Sequence, residues 1–183
     1  NFIEKIGWWG HLCMVMTFLV YLPYSKHLHI MLAFPNTFFT RPEAKGEIHN
    51  MPAIQHEVQS MLDPSFVVPA TDGEIKFGAK DVYDLSWKSL LDAYTCTECG
   101  RCTAACPANQ TGKKLSPRKI MMDTRDRMEE IYKGKKEHGP DFADNKSLLG
   151  DYITGEELRA CTTCNACVEE CPVNISPLSI ILE

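Results

Sequence analysis

Eight of the nine cysteines in this 183-residue chain lie in two copies of one spacing, C-x2-C-x2-C-x3-C, and a proline follows each copy. The second copy stands 65 positions after the first, and an asparagine two residues beyond the proline is repeated as well. Thiols in so tight a run are too close together to tie distant parts of a fold, so the pattern indicates metal ligation in a reducing compartment. The two runs are Cys96, Cys99, Cys102, Cys106 and Cys161, Cys164, Cys167, Cys171.

The spacing fits an iron–sulfur cube better than a single metal ion. A [4Fe–4S] cluster needs one thiolate per iron; in runs of this kind three cysteines bind one cluster and the fourth, before proline, binds the other. Zinc also takes four thiolates, but its sites usually come from separated CxxC pairs. We therefore predict two [4Fe–4S] clusters with crossed ligand sets. Cluster 1 is held by Cys96, Cys99, Cys102 and Cys171, and cluster 2 by Cys106, Cys161, Cys164 and Cys167.

Charge and motifs exclude several other functions. Lys and Arg number 19 against 24 Asp and Glu, and the net charge is −5. The basic residues are dispersed except for a short stretch at 133–136, so no nucleic-acid partner is expected. The chain has no GxGxxG sequence, no phosphate-binding loop and no nucleophile–base constellation, and no substrate-converting site is visible.

An apolar stretch near the N-terminus runs from Gly7 to Leu22 and, after a short polar break, resumes as far as Phe39. A helix needs roughly 20 residues to cross a bilayer, and the uncharged part before Lys26 just reaches that length. The stretch therefore predicts a transmembrane helix, with a buried helix of a soluble protein as the alternative. Cys13, inside the stretch, is predicted to be an ordinary buried thiol.

Residues that flank this stretch favour the membrane interpretation. Aromatic side chains stand near both of its ends, as in helices anchored at the two membrane interfaces. Basic residues gather on its C-terminal side, which by the positive-inside tendency places that side, with the clusters, in the cytoplasm. The aromatic residues are Trp8, Trp9, Tyr21 and Tyr24, and the basic residues are Lys26, Arg41 and Lys45.

Helix signals dominate the chain beyond residue 83. A helix is predicted from Asp84 through Tyr94, and a longer one is predicted to end at Gly139-Pro140, with its charged stretch Arg125 to Glu130 facing solvent. Capping residues mark three helix starts. These are Ser116-Pro117, Thr154 with Glu157, and Ser176-Pro177.

The predicted fold is mainly α and has three zones. Residues 1–40 form a transmembrane helix and a membrane-surface segment. Residues 41–83 form an irregular linker, in which Ala53 to Leu62 is predicted to be a short helix. Residues 84–183 form a helical domain that carries both clusters.

The separation of the cysteine runs points to a known kind of domain. Compact two-cluster ferredoxins place their runs close together, whereas 54 residues lie between Cys106 and Cys161 here. With helix signals on both sides, the region from about Asp84 to Glu183 resembles the α-helical ferredoxin domain of heterodisulfide reductase subunits and of the iron–sulfur subunits of succinate dehydrogenase and fumarate reductase. That resemblance implies a relay of single electrons.

Histidines in the apolar stretch raise the question of haem. On one continuous helix, His11 and His29 would share a face about 27 Å apart, and His27 would point nearly the other way. The stretch from Trp8 to Phe39 resembles the last helix of the gamma-type cytochrome b subunit of respiratory nitrate reductase and its heterodisulfide reductase relatives. The resemblance implies that His11 and His29 each give one axial ligand to one of two b-type haems. The alternative is that each histidine lies near a membrane interface and bonds a headgroup or a carbonyl. A kink at Pro23 would also put the two histidines out of phase.

These observations predict a membrane-anchored oxidoreductase subunit that moves electrons between a quinone pool and a cytoplasmic redox partner. The chain begins with Asn1 and stops shortly after the last cysteine run, so we expect a fragment whose other domains or subunits supply the remaining haem ligands. One alternative is a soluble or peripheral ferredoxin-like relay without haem, whose apolar segment docks on a partner. Another is a structural metal module without redox turnover.

Overall fold

The computed structural model describes residues 1–42, 47–48, 50–63, 66 and 77–183. Within these ranges the chain forms ten α-helices and no strand, which confirms the predicted mainly α class. Short turns of 3₁₀ helix precede α2 and α4. The helices are α1 Phe2–Tyr21, α2 Leu28–Phe38, α3 Pro52–Leu62, α4 Trp87–Thr95, α5 Arg101–Ala104, α6 Pro107–Gln110, α7 Pro117–His138, α8 Gly155–Arg159, α9 Ala166–Glu169 and α10 Pro177–Leu182.

α1 is a 20-residue helix, described throughout, in which no residue is buried. Together with the turn that follows it, Phe2–Tyr24, it is the one helix of the described residues that is long and apolar enough to cross a membrane. Cys13, predicted to be buried, is exposed on this helix. The prediction was wrong because it assumed a covering layer of protein, which α1 does not have among the described residues.

The continuous helix assumed for His11 and His29 does not form. α1 ends at Tyr21, a 3₁₀ turn containing Pro23 follows, and Ser25 is extended, with φ −122° and ψ 169°. α2 then starts at Leu28. Because proline has no backbone N–H and Ser25 leaves the helical region, the two histidines lie on different helices and their shared face is lost.

α2 packs against α4 and the chain after Cys171 through buried polar groups. Asn36, fully buried in α2, donates to the Val173 carbonyl at 2.9 Å and accepts from Lys88 Nζ at 3.0 Å. Lys88 also lies 2.5 Å from Asp92 Oδ1, and burial raises the pKa of Asp92 despite that partner. These bonds tie the segment after α1 to the cysteine-bearing part of the fold.

α4 starts three residues later than predicted, at Trp87 instead of Asp84. The Asp84 carboxylate accepts from the backbone amides of Lys80 and Asp81 at 3.1 and 3.2 Å, and so closes a 3₁₀ turn. Such local bonds offer the backbone an alternative to the α-helix. The side chain of Ser86 then caps α4.

α7 is the central helix of the cysteine-bearing part and begins and ends where the sequence predicts, with Ser116 as its N-cap and Gly139 after its last turn. Its buried residues follow a spacing of three and four positions, which is that of a helix face turned towards a core. They include Ile120, Thr124, Arg127, Ile131 and Gly134.

Arg127 corrects the prediction that the stretch Arg125 to Glu130 faces solvent. Its side chain is 2% exposed. It makes a two-pronged bond to Asp81, at 3.1 and 2.9 Å, and also pairs with Asp144 and the Lys146 carbonyl. A buried guanidinium is tolerated only when its donors are paired. The partners of Arg127 lie before α4 and after α7, so its bonds join both of these segments to α7.

The remaining helix predictions are confirmed. Thr154 and Glu157 form the capping box of α8, and Glu157 also pairs with Lys119 of α7 at 2.9 Å. Ser176 caps α10. The short helix predicted from Ala53 to Leu62 is α3.

Candidate metal centre

The two cysteine runs follow the same backbone path. In each run the residues immediately before and after the second cysteine have left-handed dihedrals: φ is 60° at Glu98 and 83° at Gly100, and 53° at Thr163 and 59° at Asn165. Residues other than glycine, asparagine and aspartate rarely adopt this region, so Glu98 in the first loop and Thr163 in the second indicate a conformation that the site requires. The turn then enters α5 or α9, which carry Cys102 and Cys167.

Backbone amides face the sulfur atoms in both runs. The Thr163 amide donates to Cys161 Sγ at 3.4 Å, and the Ile175 amide donates to Cys171 Sγ at 3.4 Å. Burial raises the pKa of the Cys96 thiol, and a hydrogen bond from the Glu98 amide partly offsets this. Hydrogen bonds from backbone amides stabilise a cysteine thiolate. When that thiolate binds a cluster, they also tune the reduction potential of the cluster.

The predicted ligands of cluster 2 surround one cavity. The fourth cysteine of the first run therefore meets the first three of the second run, as the crossed sets require. Burial raises the pKa of Cys167 to about 12, and the neighbouring thiols of Cys102, Cys161 and Cys106 contribute. The cavity is lined by Cys106, Cys161, Cys164, Cys167, Leu115, Pro117, Leu178 and Ile181, together with Thr162 and Asn165.

The predicted ligands of cluster 1 also come together from both runs. Burial raises the pKa of Cys96, and the thiols of Cys171 and Cys99 raise it further. Burial likewise raises the pKa of Cys102, with Cys96 and Cys99 adding to the effect. Cys171, 75 residues after Cys96, thus lies beside the first run.

Each predicted cluster has a set of four thiols. Among the residues that the structure describes, no three Cys, His, Asp or Glu side chains converge closely enough to hold a single metal ion. Four thiolates on one zinc ion, each about 2.3 Å from it, would lie about 3.8 Å apart. Two sets of four cysteines, one of them around a cavity, match the donor set of [4Fe–4S] clusters.

Charged side chains distinguish the first run from the second. Glu98, inside the first run, pairs with Arg125 of α7 and lies 3.3 Å from Lys26, which follows α1. A hydrogen bond from Arg125, with help from Lys26, holds the pKa of the Glu98 carboxyl below its usual range. The corresponding residue of the second run is Thr163. Sequence reasoning missed the Glu98–Arg125 pair, since nothing in the repeat signals a partner 27 residues away.

The predicted haem ligands are exposed or half-buried. His11 is exposed on α1. His29, in the first turn of α2, has its Nδ1 atom 2.6 Å from the Lys26 carbonyl oxygen. His27 Nδ1 lies 3.3 Å from Ser25 Oγ. Lys45, part of the basic group used to predict sidedness, lies outside the described residues.

Comparisons with known proteins bear on the same region. The family described as 4Fe-4S dicluster domain matches residues 95–175. A probable iron-sulfur-binding oxidoreductase, FadF of Bacillus subtilis, is 34% identical over 93% of this chain and 26% of its own length. The chain is similar to iron–sulfur oxidoreductases. The family match and this relative support 4Fe–4S binding and electron transfer. No solved structure matches the chain.

Two further relatives extend the comparison. The EtfAB:quinone oxidoreductase of Syntrophomonas wolfei is 27% identical over 98% of this chain and 25% of its own length. One subunit of the ferredoxin/F(420)H(2)-dependent CoB-CoM heterodisulfide reductase of Methanosarcina acetivorans is 34% identical over 51% of this chain and 44% of its own length. The predicted resemblance to heterodisulfide reductase subunits is confirmed. The chain spans about a quarter of the length of the first two relatives.

Proposed function

We propose that this chain is the electron-transfer part of a membrane-linked oxidoreductase and carries electrons between a quinone pool and a cytoplasmic redox partner. The observation that carries the proposal is the cavity lined by Cys106 together with Cys161, Cys164 and Cys167. A set of four thiols drawn from both runs is what a crossed two-cluster relay requires. A [4Fe–4S] cluster supplies one-electron chemistry there.

The ligand sets that we propose are those predicted from the sequence. Cys96, Cys99, Cys102 and Cys171 would hold cluster 1, and Cys106, Cys161, Cys164 and Cys167 would hold cluster 2. α5 and α9, which carry the third cysteine of each run, pack on one another. The thiol of Cys102 therefore contributes to the raised pKa of Cys167. The two sites are therefore neighbours across α5 and α9.

Membrane attachment is proposed from α1. A soluble protein normally covers an apolar helix of 20 residues, yet α1 has no buried residue and carries the exposed side chains of Trp8 and Trp9. The relative from Syntrophomonas wolfei, whose name includes quinone, aligns with nearly the whole chain and supports a quinone as the membrane reactant. With Lys26 and Arg41 on the same side as the cysteines, we place the clusters on the cytoplasmic side.

A role in haem binding is proposed for His11 and His29. A histidine that binds a metal usually donates its second ring nitrogen to a carboxylate or a backbone carbonyl, which fixes the tautomer. The Nδ1–H of His29 has such a partner in the Lys26 carbonyl, so Nε2 keeps its lone pair for a ligand. As the resemblance implies, each histidine would serve its own b-type haem, and other parts of the full protein would supply the opposite ligands.

The test is a reduced-minus-oxidised optical spectrum of the full-length protein, purified without oxygen in mild detergent, with a pyridine haemochrome assay on the same sample. We expect haem b bands that are weakened in His11→Ala and in His29→Ala and are retained in the control His27→Ala. Reduction of the clusters by a menaquinol analogue in proteoliposomes would support the quinone link. Iron–sulfur bleaching without haem b in the wild-type protein would reject the haem and leave the two-cluster relay.

A further inference from the structure

The first cysteine run and the chain after Cys171 both touch the segment that follows the candidate membrane span. Lys26, two residues beyond Tyr24, lies 3.3 Å from Glu98 of the first run. Asn36 of α2 donates to the carbonyl of Val173 at 2.9 Å. Asn174 donates to the hydroxyl of Thr40 at 3.4 Å. Contacts from 26–40 thus reach both parts of the chain that contribute ligands to cluster 1.

The surroundings of the other site differ. Its cavity is completed by Leu115 just before α7, by Pro117 at the start of α7, and by Leu178 and Ile181 of α10. None of these four lining residues belongs to 26–40. Asn109, the counterpart of Asn174 in the repeat, donates to the Leu115 carbonyl at 2.9 Å and closes its own loop.

α2 also carries an exposed apolar stripe. Met31, Phe34 and Phe38, spaced as neighbours on one helix face, are 58%, 76% and 82% exposed. Asn36, on another face, is fully buried against α4 and the chain after Cys171. A helix that buries one face in protein and exposes aromatic residues on another, directly after a candidate membrane span, has the form of an interfacial helix.

We propose that the site formed by Cys96, Cys99, Cys102 and Cys171 is the membrane-side end of the relay, and that the site formed by Cys106, Cys161, Cys164 and Cys167 is the far end. The inference rests on the proposed membrane-linked function and adds the order of the two sites to it. A quinol that is oxidised to a quinone releases two protons and two electrons, one for each site, and the reverse transfer reduces a quinone.

These contacts give positioning roles to residues around the first site. Lys26, Asn36 and Thr40 are positioning residues that fix the first site against the end of the span. Arg125 holds the side chain of Glu98 from the opposite side and donates to the Cys96 carbonyl at 3.4 Å. The site is therefore braced between α7 and the membrane segment.

The test measures which site lies nearer the bilayer. The full-length protein is reconstituted in liposomes with and without a lipid that carries a dysprosium chelate on its headgroup. Electron paramagnetic resonance (EPR) power saturation is then recorded at potentials at which one site at a time is reduced. Dysprosium speeds the relaxation of nearby unpaired spins with a steep dependence on distance. The matched variants Cys99→Ser and Cys164→Ser identify the signal of each site.

We expect dysprosium to raise the half-saturation power of the signal altered by Cys99→Ser more than that of the signal altered by Cys164→Ser. Equal effects, or the reverse order, would overturn the inference. Should the serine variants fail to fold, Glu98→Thr and Thr163→Glu provide the assignment, because each changes the charge beside one site without removing a ligand. A wild-type sample with no EPR signal on reduction, before any dysprosium is added, overturns the proposed function and this inference with it.

Discussion

The two cysteine runs have the same backbone conformation but different surroundings. Both place left-handed residues on either side of the second cysteine, and both enter a short helix at the third. The first run is held by the ion pairs of Glu98 with Arg125 and Lys26. The second has Thr163 at the matching position and lies beside the cavity closed by α10.

This difference separates two kinds of information in the sequence. The repeated residues set the ligand geometry, which would be the same for the two proposed clusters. The residues that do not repeat set the charge near each site and the neighbours that it touches. Because reduction adds one negative charge to a cluster, unlike charges around like ligands are expected to give two different reduction potentials.

The largest effect is expected from the fourth cysteine of each run. Cys171→Ala should abolish cluster 1, whose other ligands lie in the first run, and Cys106→Ala should abolish cluster 2. Each variant should keep about half of the iron and one EPR signal. If Cys171→Ala and Cys164→Ala lose the same signal, the ligand sets are not crossed and the comparison between the runs has to be redrawn.

The common backbone conformation of the two runs can be tested by placing a bulky residue at the left-handed positions. Gly100→Val and Asn165→Val should each lower the stability by about 1–2 kcal/mol, because a β-branched residue is strained there. Gly100→Asn, which copies the second run, is the control and should be nearly neutral. The measurement is the midpoint of thermal cluster loss under anaerobic conditions. A large loss in one run only would show that the two loops do not share the same constraint.

A smaller effect is expected from exchanging the charge at the matching positions. Glu98→Thr leaves Arg125 and Lys26 without their carboxylate, so the midpoint potential of cluster 1 should rise, by an amount on the order of 50 mV. Thr163→Glu should lower the potential of cluster 2. In each variant the other cluster serves as the internal control in an EPR-monitored redox titration. Movement of the wrong signal, or of neither, would contradict the assignment.

The smallest effect lies outside both runs. Hydrogen bonds from Arg127 hold the pKa of the Asp144 carboxyl at about 2, below its ordinary value of 3.8. A lowered pKa stabilises the folded state above the ordinary value, and this contribution is lost as the pH falls from about 4 to about 2.

Asp144→Asn should therefore lower the stability at pH 7 by about 1 kcal/mol, since Asp81 still pairs with Arg127 and the carboxyl is partly solvated. The difference from wild type should shrink between pH 4 and pH 2, as followed by circular dichroism at 222 nm. Both proteins keep all their thiols, so cluster loss affects them alike. A difference that stays constant down to pH 2 would show that Asp144 contributes through packing.

Local signals in the sequence predicted much of the fold, and long-range partners account for what it could not predict. The caps at Ser116, Thr154 and Ser176 act within three residues, so the starts of α7, α8 and α10 could be read directly. Arg127 could not be placed, because Asp81 and Asp144 lie 46 and 17 residues away.

The candidate site follows the same division. The left-handed turns that place the first three cysteines of each run are local. The crossing of the fourth cysteine joins residues as far apart as Cys96 and Cys171; it was predicted from the general pattern of such runs and stays a prediction. The ion pair of Lys26 with Glu98 joins residues 72 positions apart, and nothing in the repeat predicts it. The break between α1 and α2 was visible in Pro23 only as a potential kink. The extended Ser25, which ends the continuous helix, was not foreseen.

The most direct test of the account is an EPR-monitored redox titration of the full-length protein, purified without oxygen, with iron, acid-labile sulfide and zinc measured on the same sample. The account predicts two one-electron signals of [4Fe–4S] type with separate midpoints, about eight iron and eight sulfide per chain, and no stoichiometric zinc. Stoichiometric zinc, or a sample in which dithionite produces no signal, would contradict it.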